Sequence, residues 1–257
     1  MKKITLILIC ITFISCDFVK KQNKSKFDNI SKEDTTCIKD INDVKLDIQK
    51  GKLVYCYDVG SLTYHSLRSE KELTSILKQI NVEFRNVAYS DLVYENQTHC
   101  YCEFMEEKIK EKYGKRFIDS ILVLSDKLYL KNSINDTLYF ADCDKRANYP
   151  NENSEYQDEF SEVLQNELEK KITYPKGYIK KRKHDDSAFV DIYLYVNKKG
   201  EAKILSFRFV FDVETNQKYK RDLEAEIKKY IKTENWTPAQ IRGENVNSDM
   251  SLRFHLK

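Results

Sequence analysis

His99-Cys100-Tyr101-Cys102 puts an imidazole and two sulfurs within four consecutive residues. Two soft thiolates and an imidazole are a donor set for zinc or copper(I). Two thiols can also exchange with a disulfide, but Cys-x-Cys is not the spacing in which two intervening residues set a reactive thiol at a helix N-terminus. The sequence holds no second cluster to complete a four-ligand site. His99, Cys100 and Cys102 are therefore candidates for a metal or thiol site, set against a structural role for both sulfurs. Cys37, Cys56 and Cys143 lie in the same region. In an exported chain these five cysteines are expected to pair as disulfides, with an odd one left over.

Other chemistry is thinly represented. His184-Asp185-Asp186-Ser187 holds the residue types of a triad, yet neighbours in one polar loop cannot present base and nucleophile to a single reacting atom. With six scattered glycines there is no phosphate-cradling loop. We expect no catalytic residues, no cofactor and a non-enzymatic protein. The 44 basic and 41 acidic residues are interleaved and the formal charge is +3, which does not suit a nucleic-acid partner. At 257 residues, 41% hydrophobic and 33% charged, the chain has room for two small globular domains with well-solvated surfaces.

Met1-Lys2-Lys3 followed by the apolar run Ile4–Phe13 is too short to span a bilayer and has the order of a secretory signal. Its end, Phe13-Ile14-Ser15-Cys16, is similar to the lipobox of bacterial lipoproteins. That resemblance implies cleavage after residue 15 and acylation of Cys16, with palmitate among the chains. Several acyl chains make a firm membrane anchor. Residues 16–34 are polar and read as a flexible tether.

Residues 35–148 alternate helical and strand patterns, which predicts a small α/β domain. Helices are expected at 36–49 (with Ile38, Ile41, Val44 and Ile48 as the apolar stripe), 70–80 and 101–113, and strands at 53–57, 82–87 and 138–140. Residues 118–130 fit helix and strand alike. Lys145–Glu155, polar and containing Pro150, reads as a linker, and Ser154 with Gln157 as a capping box opening the next helix.

Residues 155–257 carry an ordered set of landmarks. Thr173-Tyr174-Pro175 precedes an alternating strand, Val190–Val196. A turn at Lys198-Lys199-Gly200 leads to a second strand, in which Leu205, Phe207, Phe209 and Phe211 are assigned one face. Leu223, Ile227, Tyr230 and Ile231 then recur at helical spacing. Trp236-Thr237-Pro238-Ala239 and Gly243 follow, before a last strand at Met250–Leu256. This order resembles the C-terminal domain of TonB, with Ala188 where the family places a small Gly. The resemblance implies an α+β chain: two helices on a three-stranded antiparallel sheet, preceded by the small α/β domain. It also implies a site at which an extended protein segment adds by backbone pairing, at Tyr174, Pro175 and the terminal strand with Met250, Leu252 and Phe254. The transmembrane helix and proline-rich reach of an energy transducer are not in the sequence. The expected protein is a lipoprotein of the cell envelope, on the outer membrane facing the periplasm or the cell surface rather than on the inner membrane. Its expected partners are the membrane, through its anchor, and an envelope or outer-membrane receptor protein.

Overall fold

The computed structural model describes residues 25, 27, 30–60, 66–88, 99–152, 160–180 and 188–257. Its first helix, α1 (Thr35–Gln49), is opened by Asp34, whose carboxylate accepts the Cys37 N–H at 3.0 Å. The stripe of α1 keeps Ile41, Val44 and Ile48 of the expected set, but Cys37 takes the place of Ile38, which faces solvent. The reason is covalent, since Cys37 is bonded to Cys100 at the start of α3 (Cys100–Tyr113) and turns its own side of the helix inward.

Strand β1 (Leu53–Asp58), helix α2 (Glu70–Gln79) and β2 (Val82–Val87) form a parallel crossover, in register from Leu53 opposite Val82 to Asp58 opposite Val87. A two-stranded sheet cannot stand alone in water. Leu73 and Leu77 of α2 cover it, and Phe104, Met105 and Ile109 of α3 join the same core. A second disulfide, Cys56–Cys102, ties β1 to the first turn of α3.

The stretch in which helix and strand were indistinguishable is a helix, α4 (Phe117–Ser133). It serves two cores. Ile118 and Ile121 bury with the α/β unit, while Tyr129 and Leu130 pack against the core of the C-terminal sheet.

That sheet has five strands, where three were expected, and it is mixed, not wholly antiparallel. Its backbone is β5 (Ala202–Val210), β4 (Phe189–Val196) and β7 (Glu244–His255) side by side, with β4 antiparallel to both neighbours. Two short strands enlarge it: β3 (Thr137–Leu138) runs parallel to β7, and β6 (Ala239–Ile241) pairs with it as a hairpin. Strand β7 thus begins at Glu244 instead of Met250. The first part of the stretch read as a linker, residues 145–149, is also part of this unit. Ala147 and Tyr149 are in its core, and Asn148 bridges to Thr237. Polar composition concealed this because the two small islands of burial lie among solvated residues.

Helices α5 (Glu162–Lys171) and α6 (Lys220–Lys228) cover one face of the sheet through Leu164, Leu168 and Ile227. Ser161 caps α5 by accepting the Leu164 N–H; the expected capping pair Ser154 and Gln157 lies outside the described residues. Rows across the sheet fix its covered face: Val190 meets Phe209 and Phe254, Ile192 meets Phe207 and Leu252, and Leu194 meets Ile204 and Met250. Leu205 is not on that face. A bulge opposite Tyr193 and Leu194 inserts one extra residue, and Leu205 turns outward, 55% exposed. Trp236 fills the handover into β6, edge-on to Tyr149 with ring centroids 5.3 Å apart, and its indole N–H donates to the Lys232 carbonyl. No helix among the described residues is long and apolar enough to cross a membrane.

Candidate functional site

Cys100 and Cys102 are both spent on disulfides, to Cys37 and Cys56. A sulfur bonded to sulfur offers no thiolate, so the two cysteines leave His99 as the sole donor of the sequence cluster. The metal reading of His99, Cys100 and Cys102 is corrected accordingly, and no group of three metal-capable side chains occurs among the described residues. The odd cysteine is Cys143, half-buried, with its Sγ 3.7 Å from the Tyr139 carbonyl. Burial, reinforced by Asp142, pushes its thiol up to about 11, so it is a neutral packing group at neutral pH. Cys16 lies outside the described residues, as does the segment 184–187.

Cys143 borders a cleft of about 560 Å³ whose polar wall is Arg68, Asp126, Asp144 and Arg242. Arg68 donates to both oxygens of Asp126 (2.6 and 2.9 Å), to Asp144 and to the Asp142 carbonyl. The Arg242 N–H donates to the other oxygen of Asp144. These groups satisfy one another and tie the α/β unit to the hairpin of β6 and β7.

Tyr174 and Pro175 act on the chain's own end. The Tyr174 hydroxyl accepts the Lys257 N–H at 2.9 Å, and the Pro175 carbonyl accepts the Tyr178 N–H in a tight turn. Met250, Leu252 and Phe254 point their side chains into the core beneath the helices. On the side away from β4, β6 and β3 pair with the first half of the strand that carries them, Glu244–Ser248, while its second half is met by a bridge from Phe160 to Arg253 and by the Gln165 amide, which bonds the backbone of His255 in both directions. A protein segment could not lay itself along the whole of β7 without displacing these groups. Periodicity could assign the buried face of this strand but not its neighbours.

The face of the sheet away from the helices remains. Its rows read Val210, Phe189, His255; then Arg208, Asp191, Arg253; then Ser206, Tyr193, Ser251; then Lys203, Tyr195, Asp249. Asp191 is only 4% exposed and is gripped by Arg253 through two bonds of 2.8 and 3.3 Å. The Arg253 guanidinium lies 3.9 Å above the Phe189 ring. Arg208 stands on the other side of Asp191 at 3.8 Å, beyond hydrogen-bond range, and its side chain is 60% exposed. A hollow of about 400 Å³ opens here between Tyr139, Tyr193, Leu205, Arg208 and Arg253. Tyr139, Tyr193, Leu205 and Phe160 are all large apolar side chains left in solvent. The arrangement can bind, through stacking, apolar contact and a guanidinium. Tyr193 on the outward side was legible from alternation. The Arg208–Asp191–Arg253 row was not, because it is assembled from three strands whose register no local pattern reveals.

Compared with family models, with curated proteins and with solved structures, the chain matches none.

Proposed function

We propose that this chain is an exported, lipid-anchored binding protein of the bacterial cell envelope, without enzymatic activity, whose C-terminal unit receives an extended segment of an envelope or outer-membrane protein along the outer side of β5. The observation that carries this reading is the position of β5: it is the last strand of the sheet, and among the described residues no strand pairs with it on the side away from β4. Beyond Ala202, whose N–H donates to the Thr233 carbonyl, such a side presents unpaired N–H and C=O groups to which a segment can add. The order of landmarks that resembles the C-terminal domain of TonB supports a protein-binding role. The binding strand, however, is β5 and not the terminal strand. The signal-like N-terminus and Cys16 support export and anchoring, and the two disulfides suit an oxidising compartment.

Two measurements test the reading. A photo-reactive residue placed at Leu205 is expected to trap an envelope protein in living cells, while the same residue at Glu111 on α3 does not. Labelled palmitate is expected in the wild-type chain and not in Cys16→Ala. Equal trapping from both positions, or from neither, would remove the binding role, and an unlabelled wild type would remove the anchor.

A further inference from the structure

We infer that the segment received by β5 carries two acidic residues four positions apart, with apolar residues between them on the opposite face. The inference rests on the reading that β5 is a binding strand, and it assigns the chemistry of the occupant.

The first observation is the pattern of charge across the open face. One row alternates in sign from β7 to β5: Arg253, Asp191, Arg208. Asp191 carries a single charge and gives both oxygens to Arg253, so Arg208 is in excess at the margin of the sheet. Its nearest acid lies 3.8 Å away, and its side chain is largely in water. Two rows along, the order is Asp249, Tyr195, Lys203, and Asp249 is already committed to the Phe140 N–H. From Ala202 to Val210 the margin therefore shows Lys203 and Arg208 and no acid. The next strand continues the alternation if it sets a carboxylate opposite each. Directly opposed unlike charges stabilise a strand pair, and like charges destabilise it.

The second observation lies on the covered face of the same strand. Phe207, Phe209 and Phe211 form a stacked file, with centroids 6.2 and 5.6 Å apart, and all three are only partly buried. Beside them the helix offers Lys228, whose ammonium lies 5.4 Å from the Phe207 ring centroid. An added strand alternates its side chains between the two faces, so the residues between the acids that turn to this side fall beside Phe207 and Ile204, and the residue flanking the acid at Arg208 falls beside Phe209. They are apolar or aromatic.

The spacing follows from the sheet's own register. Arg208 and Lys203 face Asp191 and Tyr195 of β4, four residues apart, because the bulge at Leu205 absorbs one position. A strand that follows the same register places its acids at the first and fifth positions, with apolar residues at the second and fourth. Strand β4 has part of this form on the other flank, an acid at the first position and apolar residues at the second and fourth: Asp191-Ile192-Tyr193-Leu194-Tyr195. A second copy of this chain does not fit, since pairing β5 with β5 opposes two margins that are both basic.

The test uses the mature full-length chain and two fluorescent nine-residue peptides, one centred on Glu-Val-Ser-Val-Glu and the other on Lys-Val-Ser-Val-Lys. Saturable binding is expected for the acidic peptide, with the lysine peptide weaker by roughly tenfold or more. Arg208→Glu combined with Lys203→Glu should reverse the preference, which a merely folded or misfolded variant would not do. Comparable binding of both peptides by the wild type would overturn the charge assignment and leave the β5 reading standing. No binding of either peptide, together with no trapping at Leu205, would overturn both. A dimer in solution that dissociates on Arg208→Glu would show β5 occupied by a second copy and overturn the acidic partner.

Discussion

The carbonyl of Trp236 closes directly over Gly200. A Cβ on Gly200 would stand 2.3 Å from that oxygen, and the glycine's φ is +81°. The same pair is joined by a hydrogen bond from the Trp236 N–H to the Gly200 carbonyl at 3.0 Å. The turn between β4 and β5 and the start of the β6 hairpin are thus held at a distance only glycine permits.

Gly200→Ala is expected to cost about 2–4 kcal/mol, from strain at positive φ and the displaced carbonyl together. Trp236 is the one tryptophan of the chain, so its emission reports the site directly. Denaturant unfolding followed by that emission should show a lower midpoint and a red-shifted native spectrum. An unchanged midpoint would mean that the Trp236 carbonyl can retreat freely.

The Arg68 lock gives the acid side of the stability profile. Burial raises the Asp144 carboxyl, but the Arg242 N–H and the Arg68 guanidinium more than offset it, and the group titrates below the usual carboxylate range. A depressed carboxylate contributes stability above its unfolded value, about 4, and loses it as pH falls through the folded value. Asp144→Asn should therefore flatten the loss of stability below about pH 4, as followed by thermal melting. Arg68→Ala should cost about 3 kcal/mol at neutral pH, because Asp126 and Asp144 lose their principal partner and keep only Arg242. Replacing Arg68 and Asp126 together by Met and Leu should cost less than Arg68→Ala alone. A double variant as weak as the single would refute this account of the lock.

How much of this was legible differs by element. Helices α2 and α3 and the strands β1, β2 and β4 stand within a residue or two of their expected bounds, since each has an unambiguous period and a local stop. The failures share one cause: the deciding partner lies on another element. Leu205 reads as core by alternation, and only its pairing with β4 exposes the bulge. Tyr149 lies in a polar stretch, and only Trp236, distant in sequence, explains its burial. The two disulfides were expected as a class, but which cysteine met which depended on α1, β1 and α3 converging. At the candidate site, the apolar faces of β4 and β7 could be read, but whether a strand lies inside the sheet or at its margin could not.

The disulfides enclose long loops, with partners 63 and 46 residues apart. Opening either is expected to cost about 2–4 kcal/mol through restored freedom of the unfolded chain. The loops overlap, so removing both should cost less than the sum. Serine variants of Cys37 with Cys100, and of Cys56 with Cys102, measured singly and together by denaturant unfolding, check this. Among the described residues the folded protein should offer one slow-reacting thiol, Cys143, which burial holds protonated, and it should react quickly once unfolded. Two or more fast thiols in the native protein would contradict the pairing.

The alkaline side of the profile should be set by phenols. Desolvation pushes Tyr55, Tyr101, Tyr129, Tyr149 and Tyr178 up to about 12. A phenol raised in the folded state keeps its full stabilising contribution below its unfolded value, about 10, and loses it as pH rises through the folded value. Absorbance titration should then show an early set of exposed phenols and a late set that ionises together with the loss of structure. Tyr149→Phe should remove one late phenol. It should also cost about 1 kcal/mol, since the Tyr149 hydroxyl donates to Glu167 at 3.2 Å and Glu167 in turn holds Lys232 at 2.5 Å. If every phenol ionised near the ordinary value while circular dichroism stayed native, the tyrosines placed in the cores would have to be in water.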